Sequence, residues 1–211
     1  MDQKNIARSC VDCGVTNCNH MDKGYPDFCV SEKLDEEWLE GVVELYGQED
    51  NHRVAVAAAT VESDFYCQKT RVEETIEFAK RIGAKKIGIA TCVGLIRETH
   101  ILARLRREHG FEVYGVGCKA GTVRKVDIGI PEKCGNTGVN ICNPILQAKL
   151  LNKEETDLNI VMGLCVGHDS LFYKYSEAVT TTLVVKDRVL VHNPAAALYA
   201  ADGYYQKKLE E

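Results

Sequence analysis

Three short apolar runs in this chain end the same way, each on a cysteine with glycine beside it: Ile89-Ala90-Thr91-Cys92-Val93-Gly94, Val116-Gly117-Cys118-Lys119 and Met162-Gly163-Leu164-Cys165-Val166-Gly167. Helical periodicity separates them, which predicts strands at 86–91, 111–116 and 158–162 with helices at 95–109 and 144–151 between. A short helix at 170–175, a strand at 180–185 and a final helix from the Asn193-Pro194 cap through Tyr199 complete the alternation. Strands that alternate with helices pair in parallel, so the expected fold is α/β, a mostly parallel sheet flanked by helices on both faces. Upstream, Leu34, Trp38, Leu39, Val42, Val43, Leu45 and Tyr46 recur at helical spacing, and 54–62 reads as a second helix. Thr70 and Glu73 form a capping-box signature for a third helix, ending at Gly83.

The first thirty residues are different. They hold Cys10, Cys13, Cys18 and Cys29 with Gly14, Gly24 and Pro26 but little apolar periodicity, so they cannot form a core alone. The reading is a cysteine-rich metal-binding segment, 1–31, ahead of an α/β domain, 32–211. At 211 residues and 45% hydrophobic the chain is long enough to bury a substantial core without disulfides, so its ten cysteines call for a reason other than size. The sequence has no apolar leader at Met1-Asp2-Gln3-Lys4-Asn5 and no apolar run of the ~20 residues a spanning helix needs. A cytoplasmic protein, off the membrane and with reduced thiols, is expected. A net charge of −5, with acids and bases interspersed, carries no basic stripe for nucleic acid.

The spacing C-x2-C-x4-C-x10-C of Cys10, Cys13, Cys18 and Cys29 suits structural zinc or a [4Fe–4S] cluster, the uneven spacing favouring the cluster. Cys92, Cys118 and Cys165 each follow a strand, and the carboxyl ends of parallel strands face one crevice where ligands gather. Three thiols meeting there would hold a second cluster with one iron open to a substrate; the alternative is cysteines that merely pack at strand ends. Glycines beside them leave room for a bulky cofactor and amide N–H groups for the sulfurs. Cys134 and Cys142 lie in a Gly- and Asn-rich loop that can fold over the crevice, supplying a further ligand or a dithiol pair, or serving no role. Cys67 stands alone and reads as structural. His168 and Asp169 follow Cys165 at a helix start, where His168 is a candidate proton donor or the base of a Cys165–His168 thiol enzyme; the alternative is that Asp169 or Ser170 caps the helix and His168 is a polar residue at its entry. Lys119, Arg124 and Lys125 would attract an anion or simply be solvated, and His192 and Asn193 read as capping.

The stretches Gly88-Ile89-Ala90-Thr91-Cys92-Val93-Gly94-Leu95, Cys142-Asn143-Pro144-Ile145-Leu146-Gln147-Ala148, Gly163-Leu164-Cys165-Val166-Gly167-His168-Asp169-Ser170-Leu171-Phe172 and Lys186-Asp187-Arg188-Val189-Leu190-Val191-His192-Asn193-Pro194 resemble the uncharacterised metal-binding proteins of domain-of-unknown-function family 1847. So do Cys10-Val11-Asp12-Cys13-Gly14, Cys18 and Tyr25-Pro26-Asp27-Phe28-Cys29. The resemblance implies a metal-binding protein of mainly anaerobic bacteria and archaea, and no particular reaction. By arrangement alone, the three-cysteine crevice is similar to that of small desulfidases, which take sulfur from a thiolated substrate at a cluster. Three functions are therefore expected in competition: an iron–sulfur protein for redox or sulfur chemistry, whose candidate partners are a small molecule, an electron-transfer protein or further copies of itself in a homo-oligomer; a zinc-stabilised small-ligand-binding protein; and a thiol enzyme.

Overall fold

The computed structural model describes residues 7–210, which divide into two compact units that part between Val56 and Ala57.

In the first unit, short 3-10 turns at Cys10–Asp12, Asn17–Asn19 and Ser31–Lys33 precede helix α1, Glu36–Glu44. Asn17 organises the segment. It is 3% exposed; its side chain accepts from the amides of Asp22 (2.9 Å) and Lys23 (3.0 Å) and donates to the Lys23 carbonyl, folding the loop round a satisfied polar centre. Asp35 caps α1 by accepting from the Trp38 amide at 2.8 Å. No residue of α1 is buried, although its apolar residues recur at the expected spacing.

Helix α2, Glu49–Phe65, leads into the second unit, where Ala57 and Val61 are its buried positions. Helix α3, Arg71–Arg81, opens with the expected capping box: the Thr70 amide donates to the Glu73 carboxylate at 2.8 Å, and the Glu73 amide donates back to the Thr70 hydroxyl at 3.4 Å. The strands are β1 (Lys86–Thr91), β2 (Glu112–Gly117), β3 (Leu158–Leu164) and β4 (Val179–Val185), and between them run α4 (Ile96–Glu108), α5 (Pro144–Lys153) and α6 (His168–Tyr175). All three strand pairings are parallel and the order is β2-β1-β3-β4, the α/β sheet anticipated from the alternation. β3 is buried along its whole length and β1 all but Lys86, as continuous apolar runs covered on both faces must be.

Two details of the central strands fix the geometry above them. Gly88 is glycine because a Cβ there would lie 2.1 Å from Oδ1 of Asn159, a wholly buried side chain that accepts from the Thr156 hydroxyl (2.8 Å) and donates to Ser176 (2.9 Å). At the other end of β3 the register with β4 slips twice, beside Met162 and at Gly163, whose φ is +69°. Such paired irregularities re-aim whatever follows the strand.

Chain order and sheet order part company at β1. The connection through α4 carries the chain from β1 to β2 on one side, and the connection through α5 returns it to β3 on the other, so the switch point lies above the carboxyl ends of β1 and β3. Cys92 and Cys165 follow those ends directly.

The last helices are α7 (Ala195–Tyr199) and α8 (Gln206–Glu210). Here two capping expectations fail. The residue preceding α7 is Pro194, not Asn193, and it makes no side-chain cap; His192 instead closes its own turn, its amide donating to the Asp187 carbonyl (2.9 Å) and its Nδ1 accepting from the Asp187 amide (3.1 Å). Helix α6 likewise begins at His168 behind an uncapped Gly167 at φ +81°, and Asp169 accepts from the next amide, Ser170, rather than capping the helix. Among the described residues, no helix is long and apolar enough to cross a membrane.

Candidate functional site

Four elements of the second unit deliver a cysteine each to the switch-point crevice. The Cys92 amide extends the β1–β3 ladder by donating to the Met162 carbonyl (3.1 Å), and the Cys118 amide extends β1–β2 by donating to Thr91 (2.8 Å). Cys165 follows the kinked end of β3. The fourth is Cys142, brought in by the start of α5: the Asn143 amide donates to the Cys118 carbonyl at 2.7 Å while its side chain caps the helix through the Leu146 amide at 3.0 Å. One turn on, Gln147 is fully buried and donates from Nε2 to the carbonyls of Thr91 (3.1 Å) and Val116 (2.6 Å), tying the helix to the ends of β1 and β2. Cys92, Cys118, Cys142 and Cys165 thus line one closely packed space, completed by Gln147, Leu164 and His168.

The thiols are free, and Cys92, Cys118 and Cys142 touch one another. Cys118, 2% exposed, sits between Cys92 and Cys142 and keeps its proton; hydrogen bonding to both neighbours and burial push its pKa far up. That hydrogen bonding is also the main reason its neighbours ionise easily. Cys92 is lowered to about 5, helped by the Gly94 amide and by Lys186, and Cys142 to about 3, helped by His168. The His168 imidazole is raised in turn, first by Cys142. The Val93 amide points at the Cys118 sulfur from 3.4 Å.

Cys165 stands outside this chain of thiols and has its own partner, the Arg188 guanidinium, with Nη2 donating at 3.0 Å. Its contact with Cys165 raises the Arg188 pKa. Lys186, two residues earlier, passes over two glycines to reach Cys92: a Cβ on Gly94 would lie 3.9 Å from its Nζ, and one on Gly163 3.5 Å from Nζ and 2.1 Å from Leu95. Two polar atoms of the lining, Oε1 of Gln147 and Nδ1 of His168, are buried without a partner.

The sequence placed Cys92, Cys118 and Cys165 together at the strand ends, and they do line one space; it left Cys142 among several possibilities, and Lys186 and Arg188 unnoticed except within a shared motif. The imidazole of His168 lies against Cys142, whereas the thiol-enzyme expectation pairs it with Cys165. The reason is the Gly167 turn, which swings the side chain back toward α5. Asp169 is partly buried beside it and is spent on the Ser170 amide. Neither Lys119 nor Lys125 is free: Lys119 donates to the Asn140 carbonyl (2.6 Å) while its charge helps lower the pKa of Cys142, and Lys125 donates to Cys134 and Thr137, so together they staple the 119–142 loop, with Cys134 away from the crevice lining. Cys67 is exposed, in a left-handed turn at φ +56°.

In the first unit Cys10 and Cys18 are exposed and Cys13 and Cys29 partly buried. Among the described residues, no three or more His, Cys, Asp or Glu side chains are arranged to hold a metal ion, there or in the crevice.

An uncharacterised protein of Methanocaldococcus jannaschii is 49% identical to this chain over 170 residues, covering 81% of this chain and 86% of its own. The sequence model described as protein of unknown function DUF1847 matches residues 29–183, a stretch that includes all four crevice cysteines and His168 but stops short of Lys186 and begins only at Cys29; the chain belongs to the DUF1847 family.

Proposed function

We infer that the crevice is a cysteine-ligated iron–sulfur site that carries out redox or sulfur chemistry on a small molecule. The observation that carries this reading is the convergence of four unlinked thiols, from the ends of three strands and the start of a helix, on the one place in a parallel sheet where ligands gather. Cysteines that only packed would not need amides and cations aimed at their sulfurs, as Val93, Lys186 and Arg188 are. Thiolate donors suit an iron–sulfur cluster, and the unpartnered Gln147 and His168 atoms mark a lining built for contents it does not itself satisfy.

Within that reading Cys92, Cys118 and Cys142 are the holding ligands, and Cys165, already engaged by Arg188, is the one a substrate would displace. A bound cluster would supply electrons and a Lewis-acidic iron; the chain supplies orientation and charge. Gly94 and Gly163 leave space for Lys186 over Cys92, Gln147 locks α5 to the strand ends, and His168 stands beside Cys142, which raises its pKa. Protein purified without oxygen is expected to contain iron and acid-labile sulfide in equal amounts. Cys92→Ser, Cys118→Ser and Cys142→Ser should each lose both, while Cys165→Ser retains iron. Retention of full iron in all of the first three variants would end this reading. The N-terminal Cys10, Cys13, Cys18 and Cys29 are a second candidate centre, cluster or zinc, resting on their spacing.

The His168–Cys142 contact favours a second reading, in which an imidazolium–thiolate pair makes Cys142 a nucleophile in a metal-free enzyme. A protein free of iron and zinc in every preparation, with Cys142 its fastest thiol toward iodoacetamide, would favour it.

A further inference from the structure

Beyond the thiols, the charge at the mouth of the crevice is one-sided. Arg188 and Lys186 leave the end of β4 two residues apart, and both turn inward, one to Cys165 and the other over Gly94 and Gly163 to Cys92. Neither forms an ion pair among the described residues. The acids at hand are occupied: Asp187 accepts from the Val189 (2.9 Å) and Leu190 (2.8 Å) amides, and Asp169 from Ser170. Nδ1 of His168 is buried and unpartnered, and the uncapped start of α6 lies beside it, adding partial positive charge. Arg188 is exposed, and its contact with Cys165 uses one of five N–H donors.

A planar fork with free donors, flanked by an ammonium, matches a carboxylate, which it can grip through two parallel hydrogen bonds. The space behind it is closed by its own lining, so what the fork grips is held at the mouth. We propose that the crevice mouth binds a small carboxylate-bearing substrate, Arg188 and Lys186 holding its oxygens so that the adjacent carbon or sulfur faces Cys92 and Cys165. This deepens the reading of the crevice as the reactive site, and it rests on that reading for the chemistry, though not for the binding.

The test compares two alkylating agents that differ in one charge. Iodoacetate carries a carboxylate and iodoacetamide a neutral amide; in both a thiolate attacks the methylene carbon, the C–S bond forming as the C–I bond breaks and iodide leaves. On the full-length chain, stripped of metal by anaerobic chelation and folded by circular dichroism, the rate ratio of iodoacetate to iodoacetamide at Cys92 or Cys165 is read by peptide mass spectrometry. It is expected to exceed the ratio for glutathione by about tenfold, the worth of one charge-assisted hydrogen bond. Arg188→Gln and Lys186→Gln should bring it down to the glutathione value, and Arg188→Lys should restore part of it. A wild-type ratio equal to that of glutathione, or one unmoved by both glutamine variants, overturns the proposal. Iron and sulfide content, measured on the same preparation before chelation, decides the cluster reading separately.

Discussion

Two sets of four cysteines stand in this chain, and they are opposite in kind. Cys10, Cys13, Cys18 and Cys29 are close in sequence, yet two are exposed and, among the described residues, none of their sulfurs has a hydrogen-bond partner. Cys92, Cys118, Cys142 and Cys165 are far apart in sequence, and they line one space with amides and cations facing them. The difference lies in what gathers the thiols. A short loop draws its cysteines together only around something bound, and its own polar centre here, Asn17, organises backbone rather than sulfur. A parallel sheet gathers them by topology, because the ladders of β1, β2 and β3 bring Cys92, Cys118 and Cys165 up to one edge whether or not anything is bound.

That contrast can be attacked first where the scaffold is least tolerant. Gly163→Ala puts a Cβ 2.1 Å from Leu95 at a φ of +69°, so strain and overpacking together should cost roughly 2–6 kcal/mol in denaturant unfolding. An unchanged midpoint would mean that the crevice is not held by this kinked strand end. Cys118→Ser places a hydroxyl in the buried centre of the thiol group and should lower stability by roughly 1–3 kcal/mol. A subtler probe is pH. In the metal-free chain Cys142, with its pKa lowered to about 3, is thiolate throughout the range where an ordinary thiol near 8.5 is protonated, so its alkylation should stay fast well below neutrality. His168→Gln removes the partner cation and should shift the fall-off of that rate to higher pH, leaving Cys142 less reactive at pH 5; an unmoved profile would detach His168 from Cys142. The smallest effect belongs to the other set. Cys10→Ser and Cys18→Ser, at exposed positions, should change unfolding free energy by no more than about 0.5 kcal/mol, and a larger loss under anaerobic, metal-replete conditions would bring the two sets closer in kind than they stand here.

Much of the second unit was legible in the sequence. The run Lys86–Thr91 is the strand it was read to be, and the Thr70–Glu73 box caps α3 as its spacing demanded. Those signals are local, set by alternation and by a side chain reaching its own backbone. Cys142 was harder because its place is decided by the Asn143–Cys118 backbone bond and by Gln147, contacts between segments that no periodicity encodes. The Cys-Asn-Pro sequence did hold one usable signal, an N-cap followed by a first-turn proline, which puts Cys142 at a helix start. Lys186 and Arg188 gave none beyond their spacing of two, and their partners are set by irregularities in the β3–β4 register. In the first unit α1 has the pattern of a core-facing helix but buries nothing, since periodicity reports which face is apolar and not what lies against it.

The position of Lys186 and Arg188 after the last strand bears on how the protein is made. Synthesis runs from the amino terminus, so Cys92, Cys118, Cys142 and Cys165 all leave the ribosome before the cations that face them, and those cations arrive only when β4 pairs with β3. Parallel pairing between distant segments is slow to form. The nascent chain therefore passes through a stage in which all four thiols are present and their charged cover is not, a window in which an oxidant can join sulfurs that stand as free thiols in the finished fold.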